Sequence, residues 1–336
     1  MTRQLFVLVL PLLTILCSAD KCSDCLASGK HWCETLKKCG VSPCLTAITK
    51  ALNCPELPDK AHAYDDNFIR TKVFITHAAA YNMDPQTCFN KQLPSMRVSQ
   101  IVNINCDPVG PKANCFSFIA VDTTQKAIVL AFRGTIGNIQ LAEELLDFFR
   151  AKKQFFDAGH VFEYFYDAFL IQWNAGLQSD LRKLKYQYPG FELWVTGHSL
   201  GGAMASIAAS YIVKVGLYDG TQIKLVTLGQ PRTGDYDYGM IRREMDFQFP
   251  YSFRIVHHRD IAAHIPPQEG PDEYFHHRTE VWYNNNMTVG MPYKLCPEAD
   301  GLYCSATQLD TSAEDHSWYF GINFIEWAQN GCPKLN

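Results

Sequence analysis

The chain has 336 residues, 47% of them hydrophobic and 19% charged, with a formal net charge of -4. That composition excludes a disordered or fibrous chain and predicts a globular one. The acidic balance, without any long lysine or arginine run, offers no electrostatic footprint for a phosphate backbone, so nucleic acid is not an expected partner.

The amino terminus reads as an address: Arg3 precedes an apolar run over residues 5–16, followed by the small residues Ser18 and Ala19. The run is too short for a membrane span. Cleavage after Ala19 predicts a secreted chain with 12 of the 13 cysteines, an even count that predicts disulfides. Six crowd between Cys22 and Cys54, the density of a small module stapled because its core is too small to hold it. Pro55 and Pro58 then favour an extended linker. The expected organisation is a signal peptide over 1–19, a cysteine-rich module over 20–58 and one large domain over 59–336.

After the linker, Tyr64, Phe68, Ile75 and Ala79 recur with a helical period until Asp84-Pro85 breaks the pattern. Apolar runs over 115–121 and 127–132, separated by Asp122-Thr123-Thr124, predict a hairpin of buried strands. A long helix is expected over 161–188, with Phe162, Tyr166, Phe169, Trp173, Leu177 and Leu184 on one face and Pro189-Gly190 ending it. A strand over 191–196 runs into Gly197-His198-Ser199-Leu200-Gly201, and a helix of small residues leaves from Leu200. Strands are expected again over 223–228, 252–257 and 278–283, and a final helix after His316. Strands alternating with helices predict an α/β fold: a mostly parallel sheet with helices on both faces and function gathered at the carboxyl ends of its strands.

A G-x-S-x-G match arises by chance about 0.06 times in a chain of this composition. Its chemistry is steric and electrostatic: small neighbours let the serine take a strained turn that exposes its hydroxyl, and the helix beside it aims backbone amides, Leu200 first, at a developing oxyanion. A serine nucleophile needs a base, and the base needs a carboxylate to fix its tautomer. Acids after Ser199 at strand ends are Asp235, Asp237 and Asp260; of these Asp260 directly follows an apolar strand. The order serine, acid, histidine leaves His264, His276, His277 and His316, which spacing alone does not rank. His198 adjoins the serine on the turn and is badly placed to face its hydroxyl. His257-His258 and His276-His277 lack the H-E-x-x-H spacing of a zinc site, so no metal or other cofactor is expected.

Gly197-His198-Ser199-Leu200-Gly201-Gly202, with Ala131-Phe132-Arg133-Gly134-Thr135 upstream, resembles the fungal-type, or class 3, lipases. The likeness continues through Thr227-Leu228-Gly229-Gln230-Pro231-Arg232-Thr233-Gly234, Arg254 to Asp260 and Asp315-His316-Ser317-Trp318-Tyr319-Phe320-Gly321. It implies an α/β-hydrolase fold, a Ser199, Asp260, His316 triad and an oxyanion hole of Thr135 and Leu200. It also implies disulfides Cys88 to Cys332, Cys106 to Cys115 and Cys296 to Cys304. The implied activity is hydrolysis of acylglycerol or other lipid esters at a lipid-water interface, with a lid between Thr135 and Asp147, where Ile139, Leu141, Leu145 and Leu146 alternate with Glu143 and Glu144. The amino-terminal cysteine spacing resembles the plexin, semaphorin and integrin repeat, as in some nematode lipases of this kind, and offers a surface for a protein partner. Asn286-Met287-Thr288 is a glycosylation sequon.

Overall fold

The computed structural model describes residues 21–106, 114–134, 151–246, 249–268, 273–301 and 303–334. The expected signal peptide, Thr135 and the expected lid lie outside the described residues. The chain divides into two units, Met1–Cys54 and Pro55–Asn336.

In the small unit, helix α1 (Lys21–Ala27) and strands β1 (Trp32–Cys33), β2 (Lys38–Cys39) and β3 (Ala47–Ile48) form a fold with β1 at the centre of an antiparallel sheet. Its core is little more than Cys22, Cys25, Trp32, Ile48 and Cys54. So small an apolar core cannot outweigh chain entropy by itself. Three disulfides, Cys22–Cys54, Cys25–Cys39 and Cys33–Cys44, supply the constraint.

The large unit opens with α2 (Asp66–Phe68), a π turn over Ile69–Val73 and α3 (Phe74–Ala79). The Asp84-Pro85 pair that ends this run starts the next helix, α4 (Pro85–Gln92): the Asp84 carboxylate accepts from the Gln86 N–H and proline occupies the first turn, where no N–H is required. The sheet is built from β4 (Met96–Asn105), β5 (Asn114–Asp122), β6 (Ala127–Phe132), β9 (Glu192–His198), β10 (Ile223–Leu228), β11 (Tyr251–His257), β12 (Glu280–Tyr283) and β13 (Lys294–Cys296). Their order is β13-β12-β11-β10-β9-β6-β5-β4, parallel from β6 through β12 and antiparallel at both edges.

Strand period assigns the core. Along β6, Ile128, Leu130 and Phe132 enter one apolar cluster, while Ala127, Val129 and Ala131 enter another. The first cluster packs against α5 (Glu163–Gln172), α6 (Gln178–Gln187) and α7 (Leu200–Lys214), the second against α3, α4 and α9 (Phe324–Gln329). Both faces are thus covered by helices, and central strands such as β11 are buried along their whole length.

Two expectations are corrected. The segment 161–188 is not one helix: β7 (Lys152–Gln154) pairs with β8 (His160–Phe162), α5 follows, and a π turn over Trp173–Leu177 with Gly176 at φ 141 separates it from α6. Phe162 is buried in either conformation, so helical periodicity ran straight through the strand end. The final helix starts only at Phe324, because the hairpin β14 (Trp318–Tyr319) and β15 (Ile322–Asn323) intervenes. Edge strand β4 escaped the sequence pattern: a register shift between Val98 and Gln100 turns Met96 and Val98 to one apolar cluster and Val102 and Ile104 to the other, and the polar Gln100 takes an inward position between them. Disulfides join Cys88 to Cys332, Cys106 to Cys115 and Cys296 to Cys304.

Candidate active site

Ser199 sits between β9 and α7 at φ 58, ψ -131, a conformation that costs a non-glycine residue strain. Its neighbours explain how the turn closes. A Cβ on Gly197 would collide with the Gly201 carbonyl, and one on Gly201 would meet the Phe132 carbonyl oxygen and stand 2.7 Å from the Arg133 carbonyl carbon. The chain must therefore carry hydrogen at both positions. The Ser199 N–H donates to Leu228 O at 3.0 Å, tying the turn to β10. Leu200 begins a helix of 15 residues, so its N–H belongs to the first-turn donors that no intrahelical carbonyl accepts. The loop leaving β6 lies against this turn: a Cβ on Gly134 would be 2.8 Å from the Ser199 Cβ.

Asp260 follows β11 and is wholly buried. One carboxylate oxygen accepts from the Ala262 N–H at 2.8 Å and from His316 Nδ1 at 2.8 Å; the other accepts from the Tyr319 hydroxyl at 2.7 Å. Burial by itself pushes this carboxyl upward, but His316 and the Tyr319 hydroxyl outweigh it and hold the group at about 2. It is an anion across the neutral range.

His316 is held by its neighbours rather than by an element of its own. Ser312 pairs with the acid loop, its N–H donating to Arg259 O at 2.7 Å. The Asp315 carboxylate accepts from the Arg259 N–H at 3.1 Å and lies 3.1 Å from His258 Nδ1, while His257 Nδ1 lies 2.9 Å from the Asp315 carbonyl.

Of the four histidines that spacing left equal, His316 is the one whose ring meets the Asp260 carboxylate. His264 turns its two nitrogens to the carbonyls of Asp260 and Ser305, His276 bonds Ala263 O, and His277 faces Arg278 O and Gln230. Asp235 is occupied by the backbone and ring of His160, and Asp237 lies in the first turn of α8 (Tyr236–Asp246). The rings of His257 and His258 are likewise engaged by Asp315. Asn286 is exposed on a loop after β12.

Three residues were not singled out beforehand. Tyr319 stands within the segment that carried the resemblance, but its bond to the second carboxylate oxygen had no sequence signal. Gly229, at φ +50, leaves room for the couple: a Cβ there would stand 2.8 Å from His316 Nδ1 and closer to Asp260 Oδ2. Tyr81 reaches His198 Nδ1 at 2.6 Å from far along the chain.

A mostly parallel sheet with a strained serine after one inner strand and a buried carboxylate after another defines an α/β-hydrolase. The lipase of Rhizopus microsporus var. chinensis has this fold, with a TM-score of 0.64 at 22% identity over 80% of this chain and 93% of that one. The model of the family "Lipase (class 3)" matches residues 129–270. A Caenorhabditis elegans lipase is 31% identical over 287 residues, 76% of this chain and 79% of the relative. The secreted mono- and diacylglycerol lipase 1 of Fusarium solani is 28% identical over 227 residues, 63% of this chain and 62% of its own length. The chain belongs to the class 3 lipase family and is a carboxylic ester hydrolase of lipase type.

Proposed function

We propose that the chain is a secreted lipase that cleaves acylglycerol esters through an acyl-enzyme on Ser199. The observation that carries this reading is the buried His316–Asp260 couple, at 2.8 Å, beside the strained Ser199 turn. With Nδ1–H held by Asp260, the lone pair of His316 lies on Nε2, the atom that takes the Ser199 proton as the hydroxyl oxygen attacks the ester carbonyl. The Leu200 N–H and, by family resemblance, Thr135 receive the oxyanion; losing one such donor costs about 3 kcal/mol of transition-state stabilisation. His316 then passes its proton to the leaving alkoxide, and the same ring activates the water that releases the acid. Asp260, ionised throughout, stabilises each imidazolium.

Secretion is part of the proposal, supported by six disulfides among the described residues. So is a separate amino-terminal module: the chain divides after Cys54, a few residues before the expected boundary at 58, and no disulfide among them joins 20–58 to 59–336. The Fusarium relative's name favours acylglycerols over phospholipids. The exposed Asn286 is proposed as a glycan acceptor, and the small module as the surface for a protein partner.

The test is hydrolysis of emulsified triglyceride, a soluble short-chain ester and phospholipid by the secreted protein beside its Ser199→Ala variant. Activity highest on glyceride and lower by a factor of about 10⁴ or more in the variant is expected. Equal rates from the two proteins would remove Ser199 from the mechanism, and a preference for phospholipid would change the substrate.

A further inference from the structure

A histidine that is not part of the triad lies beside the base. His198 is buried, and its ring centroid is 4.2 Å from that of His316. Its Nε2 is 2.8 Å from the His316 carbonyl oxygen, which can only accept, so Nε2 carries a hydrogen. Its Nδ1 is 2.6 Å from the Tyr81 hydroxyl. A neutral ring with its hydrogen on Nε2 keeps a lone pair on Nδ1, and the Tyr81 hydroxyl donates to it. A chain of bonds thus runs from Tyr81 through His198 to the backbone of His316.

The other groups around His198 act on its charge in both directions. Burial disfavours the imidazolium most, His316 repels it, Asp260 favours it and His77 opposes it, leaving the ring far below its usual pKa. The Tyr319 and Phe324 rings, 6.0 and 4.8 Å away, complete the enclosure, and Arg133 lies near Tyr81. Burial raises the Tyr81 phenol well above its usual range, so it remains a donor.

We propose that Tyr81 is a positioning residue that adds to burial in keeping His198 neutral: by donating into Nδ1 it closes the atom at which His198 would take up a proton, while the Nε2–H anchors the backbone of the base. The inference rests on His316 being that base. Each turnover makes His316 an imidazolium, and a second imidazolium in ring contact would oppose it. Removing the Tyr81 hydroxyl frees Nδ1, and His198 then titrates together with the catalytic couple.

The experiment measures kcat on a soluble short-chain ester from pH 5 to 9 for the wild type, Tyr81→Phe, His198→Gln and the double variant. An acid limb governed by one ionisation falls about tenfold per pH unit, and one governed by two falls about a hundredfold. The wild type is expected to show one, Tyr81→Phe two, and His198→Gln one, because the amide keeps a donor and an acceptor and cannot charge. In the double variant the second ionisation is expected to vanish. A Tyr81→Phe limb parallel to that of the wild type, or a second ionisation that persists without His198, overturns the proposal; a uniform loss across pH marks a structural role only and does the same. Ring nitrogen NMR of His198 in the intact Ser199→Ala protein reads the tautomer without turnover. Nδ1 unprotonated down to pH 5 is expected, and a protonated Nδ1 at pH 7 refutes the clamp whether or not His316 is the base.

Discussion

Gly229→Ala is the sharpest perturbation the site allows. The added methyl carbon would lie 2.8 Å from His316 Nδ1 and 2.9 Å from its Cε1, with Asp260 Oδ2 nearer still. Ordinary contact starts near 3.4 Å, so acid and base must move by roughly 0.5 Å or more, and a 2.8 Å hydrogen bond so stretched leaves the useful range. A misplacement of about 1 Å costs about 100-fold in rate, and loss of the base's orientation by its acid costs up to about 10⁴-fold. The expected fall in kcat lies between these limits. Gly229 also has φ +50, so the alanine adds backbone strain of about 1–2 kcal/mol. Gly216→Ala isolates that strain, since φ is +67 there and nothing lies within 4 Å of the added carbon. Both variants are assayed on a soluble ester, where binding to an interface plays no part, alongside thermal unfolding. Gly216→Ala should lose stability and keep its turnover; Gly229→Ala should lose both. If the two variants retain similar kcat, the couple is not where the rate is made.

Two further predictions concern stability. His77 is buried between Val73 O, 2.8 Å from Nδ1, and the Thr196 hydroxyl, and burial pushes it from 6.5 down to about 4. The unfolded chain then binds a proton that the folded chain refuses, so stability is whole above about pH 6.5 and falls as the pH drops toward 4, by about 2–3 kcal/mol at pH 4.5. Urea unfolding at pH 7.5 and 4.5 should show His77→Gln losing that much less than the wild type over the interval, whatever its stability at pH 7.5; identical losses would contradict the assignment. For the disulfides, the loop-entropy model gives about 5.5 kcal/mol for Cys88–Cys332, with a separation of 244, and about 2.6 kcal/mol for Cys106–Cys115, with a separation of 9. Paired serine substitutions should therefore cost more at the first than at the second in chemical denaturation, and the reverse order would defeat the entropic account.

The turn that carries the proposed nucleophile, Ser199, was legible because its constraints are local. Gly197 and Gly201 are needed by a turn that closes within four residues, and a strand before and a helix after can be recognised from periodicity. Asp260 was legible for a similar reason: it follows closely on an apolar strand, β11, whose neighbours β10 and β12 are sequential. The base was not, for His264, His276, His277 and His316 all lie on irregular segments. Which ring meets the carboxylate is decided by the bridge of Ser312 to the acid loop and by the Asp315 contacts, none of which has a period or a fixed spacing. Tyr81 is the extreme case, 117 residues from the imidazole it bonds. Misreadings of 161–188 and of the last helix share one cause: a buried aromatic serves a short strand and a helix face equally well.

The Asp260–His316 bond spans 56 residues of sequence, and its acid partner is itself encoded after the nucleophile. A ribosome adds about 5–20 residues per second, so for several seconds each nascent chain carries Ser199 and Asp260 without their base. With the proposed triad, hydrolytic power therefore arrives late in biosynthesis, and a chain truncated before His316 lacks the base that the proposed mechanism requires.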